Sequence, residues 1–130
     1  MNARAELVTY RLARAKESLE DAQLLAEKAR WNAAINRLYY AAFYGVSALL
    51  IHSQLNANTH AGARSQLSEH FIKTGIFAKN HGTLYSQLFS WRQKGDYDDL
   101  FDFTEEKVLP YFLPVEALLN SIEAHIQSAE

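Results

Sequence analysis

From Val8 onward, apolar residues recur at Val8, Leu12, Ala15, Leu19, Ala22, Ala26 and Ala29, alternately four and three apart, while Arg11, Lys16, Glu17, Glu20 and Glu27 fall elsewhere. That spacing follows the 3.6-residue turn and predicts a long amphipathic first helix. The pattern breaks at Arg30, Trp31 and Asn32, and Asn32 has the side chain of an N-cap for a second helix running to about His52. This second helix is apolar on most faces. Trp31, Ile35, Leu38, Phe43, Val46, Leu49 and Leu50 form a wide stripe, and Ala41, Ala42, Gly45 and Ala48 are small enough for other helices to approach closely. It is expected at the centre of the molecule.

The stretch from Ser53 to Asn58 has no period. Thr59 offers a cap for a shorter third helix through Leu67 and Phe71, stopping near Thr74-Gly75. A fourth helix fits Asn80 to Lys94, with Leu84, Leu88 and Trp91 inward and Gly95 as its stop, which makes residues 96–103 a linker. Thr104 is the expected cap of a last helix whose inward positions are Val108, Phe112, Val115, Leu119, Ile122 and Ile126. Pro110 and Pro114 each remove a helical hydrogen bond, so this helix must kink or begin later. No strand-like alternation competes. The expected fold is an all-α, antiparallel up-and-down bundle of four to five helices, in one domain over residues 1–130.

Composition narrows the chemistry. With 48% hydrophobic and 22% charged residues, the chain has the profile of an ordinary globule. The apolar run from Leu38 to Ile51 is broken by Tyr39, Tyr40, Tyr44, Gly45 and Ser47 and is shorter than the ~20 residues that span a bilayer. The first residues show no basic start leading into an apolar core, so a cytoplasmic location and no membrane association are expected. Without cysteine there is no disulfide framework, thiolate chemistry or Cys-based zinc site. A net charge of −2 argues against a broadly basic nucleic-acid surface but leaves room for a local basic site. No cofactor motif is present. The carboxylates Asp96, Asp98, Asp99 and Asp102 lack the glycine of a calcium loop, so no metal is expected there.

Four segments in order, Asn36-Arg37-Leu38-Tyr39-Tyr40-Ala41-Ala42-Phe43-Tyr44, Thr59-His60, His70-Phe71-Ile72-Lys73-Thr74-Gly75 and Trp91-Arg92 through Asp99, resemble those of small prokaryotic HEPN-domain proteins. The resemblance spans nearly the whole chain. It implies a helical bundle that pairs as a homodimer, encoded beside a minimal nucleotidyltransferase as its partner in a toxin–antitoxin module. It also implies a metal-independent ribonuclease whose signature is an Arg followed four to six residues later by a His. Here the sequence departs: after Arg92 those positions hold Asp96, Tyr97 and Asp98, and the next histidine is His125. An imidazole can exchange a proton with a ribose 2′-hydroxyl near neutral pH, whereas a solvated Asp is a weaker base, and a neighbouring Arg lowers its pKa further. The spacing Arg64 to His70 also fits the bare signature, but six residues apart the two do not share a helix face.

The candidate site is therefore Arg92, Lys94, Asp96 and Tyr97, joined by Asn36 and Tyr40 from the second helix. Arg92 and Lys94 would offer donors to a nucleotide or RNA phosphate, Tyr97 would stack on a base or receive a nucleotidyl group, and Asp96 with Arg92 would be the remaining catalytic pair. Three readings stay open: a homodimeric nucleotide- or partner-binding component of a nucleotidyltransferase module, a ribonuclease using Arg92, Asp96 and Tyr97, and a structural interaction module. Arg92 and Asp96 at i, i+4 also have the spacing of a plain ion pair, and each histidine is by default a surface residue.

Overall fold

The computed structural model describes residues 2–56, 58–97 and 101–128, without the side chains of 95–97. The described residues contain no strand. Helix α1 (Ala3–Glu27) starts five residues before the first apolar repeat because Asn2 caps it, its Oδ1 accepting from the Ala5 N–H at 2.7 Å. Ala29, at φ 57°, turns the chain back: the Arg30 N–H donates to the Leu25 carbonyl and the Ala29 N–H to that of Ala26, both at 2.9 Å. These bonds satisfy carbonyls that the end of α1 leaves open. Helix α2 (Trp31–His52) ends the same way, with Gln54 at φ 61° and the Leu55 N–H donating to the Leu50 carbonyl at 2.8 Å.

The expected cap at Asn32 is a correction. Asn32 lies inside the first turn of α2, whose cap position is Arg30 and carries no side-chain hydrogen bond. Asn32 instead reaches across the bundle: its Oδ1 accepts from the Phe103 N–H at 2.7 Å and its Nδ2 donates to the Asp102 carboxylate at 3.1 Å. A capping-type side chain has found its orphan N–H seventy-one residues away instead of in its own helix.

Thr59 does cap α3 (His60–Leu67), its Oγ1 accepting from the Gly62 N–H at 2.9 Å. The helix runs on without a break into a π-helical turn, Ser68–Ile72, and Gly75 closes that region at φ 80°. Helix α4 (Lys79–Tyr97) does not stop at Gly95, so Asp96 and Tyr97 are helical rather than linker. Residues 98–100 lie outside the described residues. Pro110 divides the last element: α5 (Glu105–Val108) passes through a 3-10 turn, Leu109–Tyr111, into α6 (Phe112–Ser128), with Pro114 in the first turn of α6 where its missing N–H costs nothing. Thr104 occupies the cap position of α5 without a side-chain bond.

Helix α2 forms the centre. Ala41, Ala42, Val46, Ala48 and Leu49 are fully buried, packed against α1 on one side and α4 and α6 on others. The small residues set the distance. A Cβ on Gly45 would sit 2.5 Å from Leu119 Cδ2 and 3.4 Å from Ile122 Cδ1, so α6 rests on the bare backbone of α2. Replacing Gly45 by Val forces branched bulk into this seam and is expected to destabilise the protein by about 2–3 kcal/mol. Urea unfolding measures it, and a variant as stable as the parent would show that α6 is not seated on α2 as described.

Candidate functional site

Three helices converge on one aromatic cluster. Helix α2 contributes Tyr39, Tyr40 and Phe43; the capped start of α3 contributes His60; and α4 contributes Tyr85, Phe89 and Arg92, spaced four and three apart so that they share a face. Tyr39 is fully buried and in ring contact with Tyr40 at 5.2 Å, Phe43 at 6.1 Å, Tyr85 at 6.1 Å and Phe89 at 6.4 Å. Its hydroxyl and His60 Nδ1 are 2.7 Å apart. The imidazole also lies against Phe43, ring centroids 4.5 Å apart, and is half-buried.

The Arg92 guanidinium lies over the rings of Tyr39 and Tyr40, at 5.6 and 5.7 Å. Arg37 covers Tyr40 as well, at 4.8 Å, and its Nε and Nη2 both donate to the Asn36 side-chain oxygen, at 3.2 and 2.8 Å. That fork fixes the plane of the guanidinium. Asn36, Arg37, Trp91 and Arg92 line a cleft of about 370 Å³ between α2 and α4. Small ligands occupy clefts from roughly 300 Å³ upward.

The electrostatics follow from burial and from Arg92. Burial, and secondarily the Arg92 charge, push the His60 pKa below 6.5. Burial pushes Tyr39 up to about 12, against the pull of Arg92, so its hydroxyl keeps its proton at neutral pH. Burial raises Tyr85 well above its ordinary value as well. A neutral His60 therefore faces a protonated Tyr39. In the tautomer protonated at Nδ1, His60 donates to the Tyr39 oxygen and its Nε2 is an acceptor; in the other, Tyr39 donates to Nδ1 and Nε2–H is a donor.

Of the residues expected from sequence, Asn36, Tyr40 and Arg92 come together. Lys94 does not line the cleft; its Nζ lies 4.7 Å from the centre of the Phe101 ring, which Lys107 also covers at 5.1 Å. The backbones of Asp96 and Tyr97 form the last turn of α4, and their side chains lie outside the described residues. The default of surface histidines fails for His60, for His125, half-buried against Phe71 and Phe77, and for His81, which is only 8% exposed, lies against Phe77 and has its Nε2 3.2 Å from Ser121 Oγ. His60 and Arg37 are the residues that sequence reasoning passed over. Both stood in the segments carrying the resemblance, and Arg37 is three residues from Tyr40, the spacing at which a guanidinium reaches a ring on the same helix face. His70, by contrast, is exposed, while Arg64 stacks on Phe89 at 4.5 Å.

The HEPN domain family matches residues 8–125. The chain belongs to the HEPN-domain family. A UPF0332 protein of Thermotoga maritima is 39% identical over 127 residues, spanning 98% of this chain and 96% of that protein. Two Methanocaldococcus jannaschii proteins named as candidate toxins, MJ0142 and MJ0605, are 30% and 32% identical over 94 and 83 residues. Those alignments cover 72% and 64% of this chain, and 64% and 62% of the relatives. Among the described residues of this HEPN protein, no helix is long and apolar enough to cross a membrane.

The histidine environments set a pH dependence. Burial lowers the folded pKa of both His60 and His81 below the ordinary 6.5, so between the folded values and 6.5 the unfolded chain binds more protons than the folded one. Stability is therefore complete above pH 6.5 and falls as pH drops through the folded values. Thermal unfolding at pH 7.5 and pH 5 should show a lower Tm at pH 5, and His81→Gln should shrink the difference by about 3 °C or more. An unchanged difference in that variant would exclude His81 as a contributor.

Proposed function

We propose that this chain is a cytoplasmic, homodimeric HEPN protein of a toxin–antitoxin-type module, which binds a nucleotide-containing ligand in the α2–α4 cleft and works with a nucleotidyltransferase partner. One observation carries the reading: two half-buried guanidiniums, Arg37 and Arg92, share the Tyr40 ring and line one cleft beside Asn36. A planar guanidinium fork matches phosphate oxygens, and the cleft brings two of them to one ring. Tyr40 and Trp91 add aromatic surface for a base. The names given to the Methanocaldococcus jannaschii relatives support the toxin side of the module. Tyr97 is the candidate acceptor of a nucleotidyl group, and Lys94, which lies on Phe101 outside the cleft, a candidate donor to a more distant part of the ligand.

Calorimetric titration with adenosine monophosphate tests the ligand. Arg92→Ala and Arg37→Ala should each weaken binding at least about tenfold, the loss expected of one charge-assisted contact. Undiminished affinity in both would end the proposal. Co-expression with the product of the neighbouring open reading frame tests the partner, and mass spectrometry of the complex, with Tyr97→Phe as control, tests the modification.

The second reading, metal-independent cleavage of RNA, is favoured by His60. An imidazole beside Arg92, neutral at physiological pH, supplies a base where the sequence after Arg92 offers Asp96 and Tyr97 instead of His. In the Nδ1-protonated tautomer, Nε2 accepts the 2′-hydroxyl proton as that oxygen bonds to phosphorus and the 5′-oxygen leaves, to be protonated in turn by the imidazolium. Arg92 stabilises the charge on the phosphate oxygens. Cleavage of RNA in EDTA should fall at least a hundredfold in His60→Ala. Activity retained in His60→Ala but lost in Asp96→Ala would return the role to Asp96.

A further inference from the structure

A second recess, which shares no residue with the α2–α4 cleft, lies where the end of α1 and the first turn of α2 meet the α5–α6 junction. It encloses about 470 Å³, and Ala26, Trp31, Leu109 and Phe112 line it together with the carboxylates Glu27 and Glu105. No cation is among its described lining residues. Val108 is fully buried, and the 3-10 turn after it breaks the α-helical period, so that Leu109 and Leu113 fall outside the inward set of Val115, Leu118 and Ile122 and stand 46% and 76% exposed. Leu24, 60% exposed, stands one turn before Glu27 on α1. Half of the large apolar side chains that the described surface leaves exposed thus lie in this recess or within about one turn of it.

Apolar side chains exposed singly need no explanation, but several gathered at a concave site mark a contact surface. The carboxylates decide what makes the contact. Among the described residues neither Glu27 nor Glu105 has an ion pair, and Glu116, exposed one turn beyond Phe112, extends the acidic edge. Of the cations nearby in the chain, Lys28 and Arg30 do not line the recess, and Lys107 lies over Phe101 at 5.1 Å. This edge repels an anionic lipid surface, and a polyamine would leave the leucines in water. An amphipathic helix with basic borders meets both requirements. Its apolar side chains, at i, i+3 or i+4 and i+7, cover the leucines, while a lysine or arginine lays its aliphatic stem on Trp31 and reaches Glu27 and Glu105 with its charge.

We propose that the recess between the end of α1 and the α5–α6 junction docks a basic amphipathic helix of a protein partner, with Trp31, Leu109 and Phe112 receiving an apolar side chain and Glu27 and Glu105 a cation. The docking surface is independent of what the α2–α4 cleft binds.

Fluorescence anisotropy on the full chain tests it with a labelled helical peptide of about four turns, leucine along one face and lysine on both borders, against the same peptide with glutamate in place of lysine. The lysine peptide should bind with a Kd below about 100 µM and at least about tenfold tighter than the glutamate peptide, a preference that shrinks as salt is raised. Glu27→Gln with Glu105→Gln, both exposed, should weaken the lysine peptide about fivefold and the glutamate peptide not at all. Leu109→Ala with Leu113→Gln should weaken the lysine peptide at least about tenfold. Circular dichroism checks that each variant folds, and Leu113→Gln alone, at the most exposed of these positions, should still lose about threefold. Equal binding of the two peptides, or a lysine peptide that neither double variant weakens, overturns the proposal. Loss of peptide binding in Arg92→Ala moves the peptide to the α2–α4 cleft and overturns it too. Phosphatidylglycerol vesicles that sediment the parent but not the leucine variant assign the surface to lipid, and a peptide-free fall in oligomeric mass in Leu113→Gln, read by light scattering, assigns it to a second copy; either result overturns the partner helix.

Discussion

The constraint on which the rest depends is that α2 must be covered on nearly every side. A helix with a fully buried Tyr39 at one level and a bare Gly45 backbone at another can be satisfied only by neighbours that come very close, and α1, α4 and α6 do so. Close approach has a chemical result. The ring faces of Tyr39 and Tyr40, which in a looser bundle would be filled by aliphatic side chains, are where guanidiniums and an imidazole come to rest. The cluster is thus a by-product of packing as much as a site grafted on it, and its electrostatics come from the same burial that stabilises the bundle.

Much of the fold was legible because it is written in local periods. The apolar repeat in α1, the cap at Thr59 and the breaking effect of Pro110 all act within one or two turns of themselves. Gly95 misled because a glycine weakens a helix by only about 1 kcal/mol, which neighbouring packing overrides. Asn32 misled for a related reason. Its side chain is short and acceptor-rich, and the N–H it satisfies belongs to Phe103, a partner no local rule could name.

The site was half legible. Arg92, Asn36 and Tyr40 were found because the resemblance pointed at their segments, and it pointed at His60 too. What hid His60 was the expectation that the histidine must follow the arginine along the same helix. Tyr39 is 21 positions before His60 and Arg92 is 32 after it, and only tertiary packing sets these three together. Function that depends on residues converging from three helices leaves no spacing to read.

The π-helical turn has a consequence for the groove between α4 and the α3–π-turn segment, which Arg64 and Lys73 both line. Arg64 and Lys73 are nine residues apart, and at roughly 100° per residue an uninterrupted α-helix would send their side chains to opposite sides. The wider i→i+5 turn over 68–72 advances through less angle per residue, which carries Lys73, just beyond it, back toward the side of Arg64. A single extra residue, absorbed as under-winding, thus acts as a rotational adjustment of charge. Winding 68–72 as a plain α-helix with no residue removed would turn the two cations apart, whereas deleting one residue would leave eight steps of about 100° and keep them on about the same side.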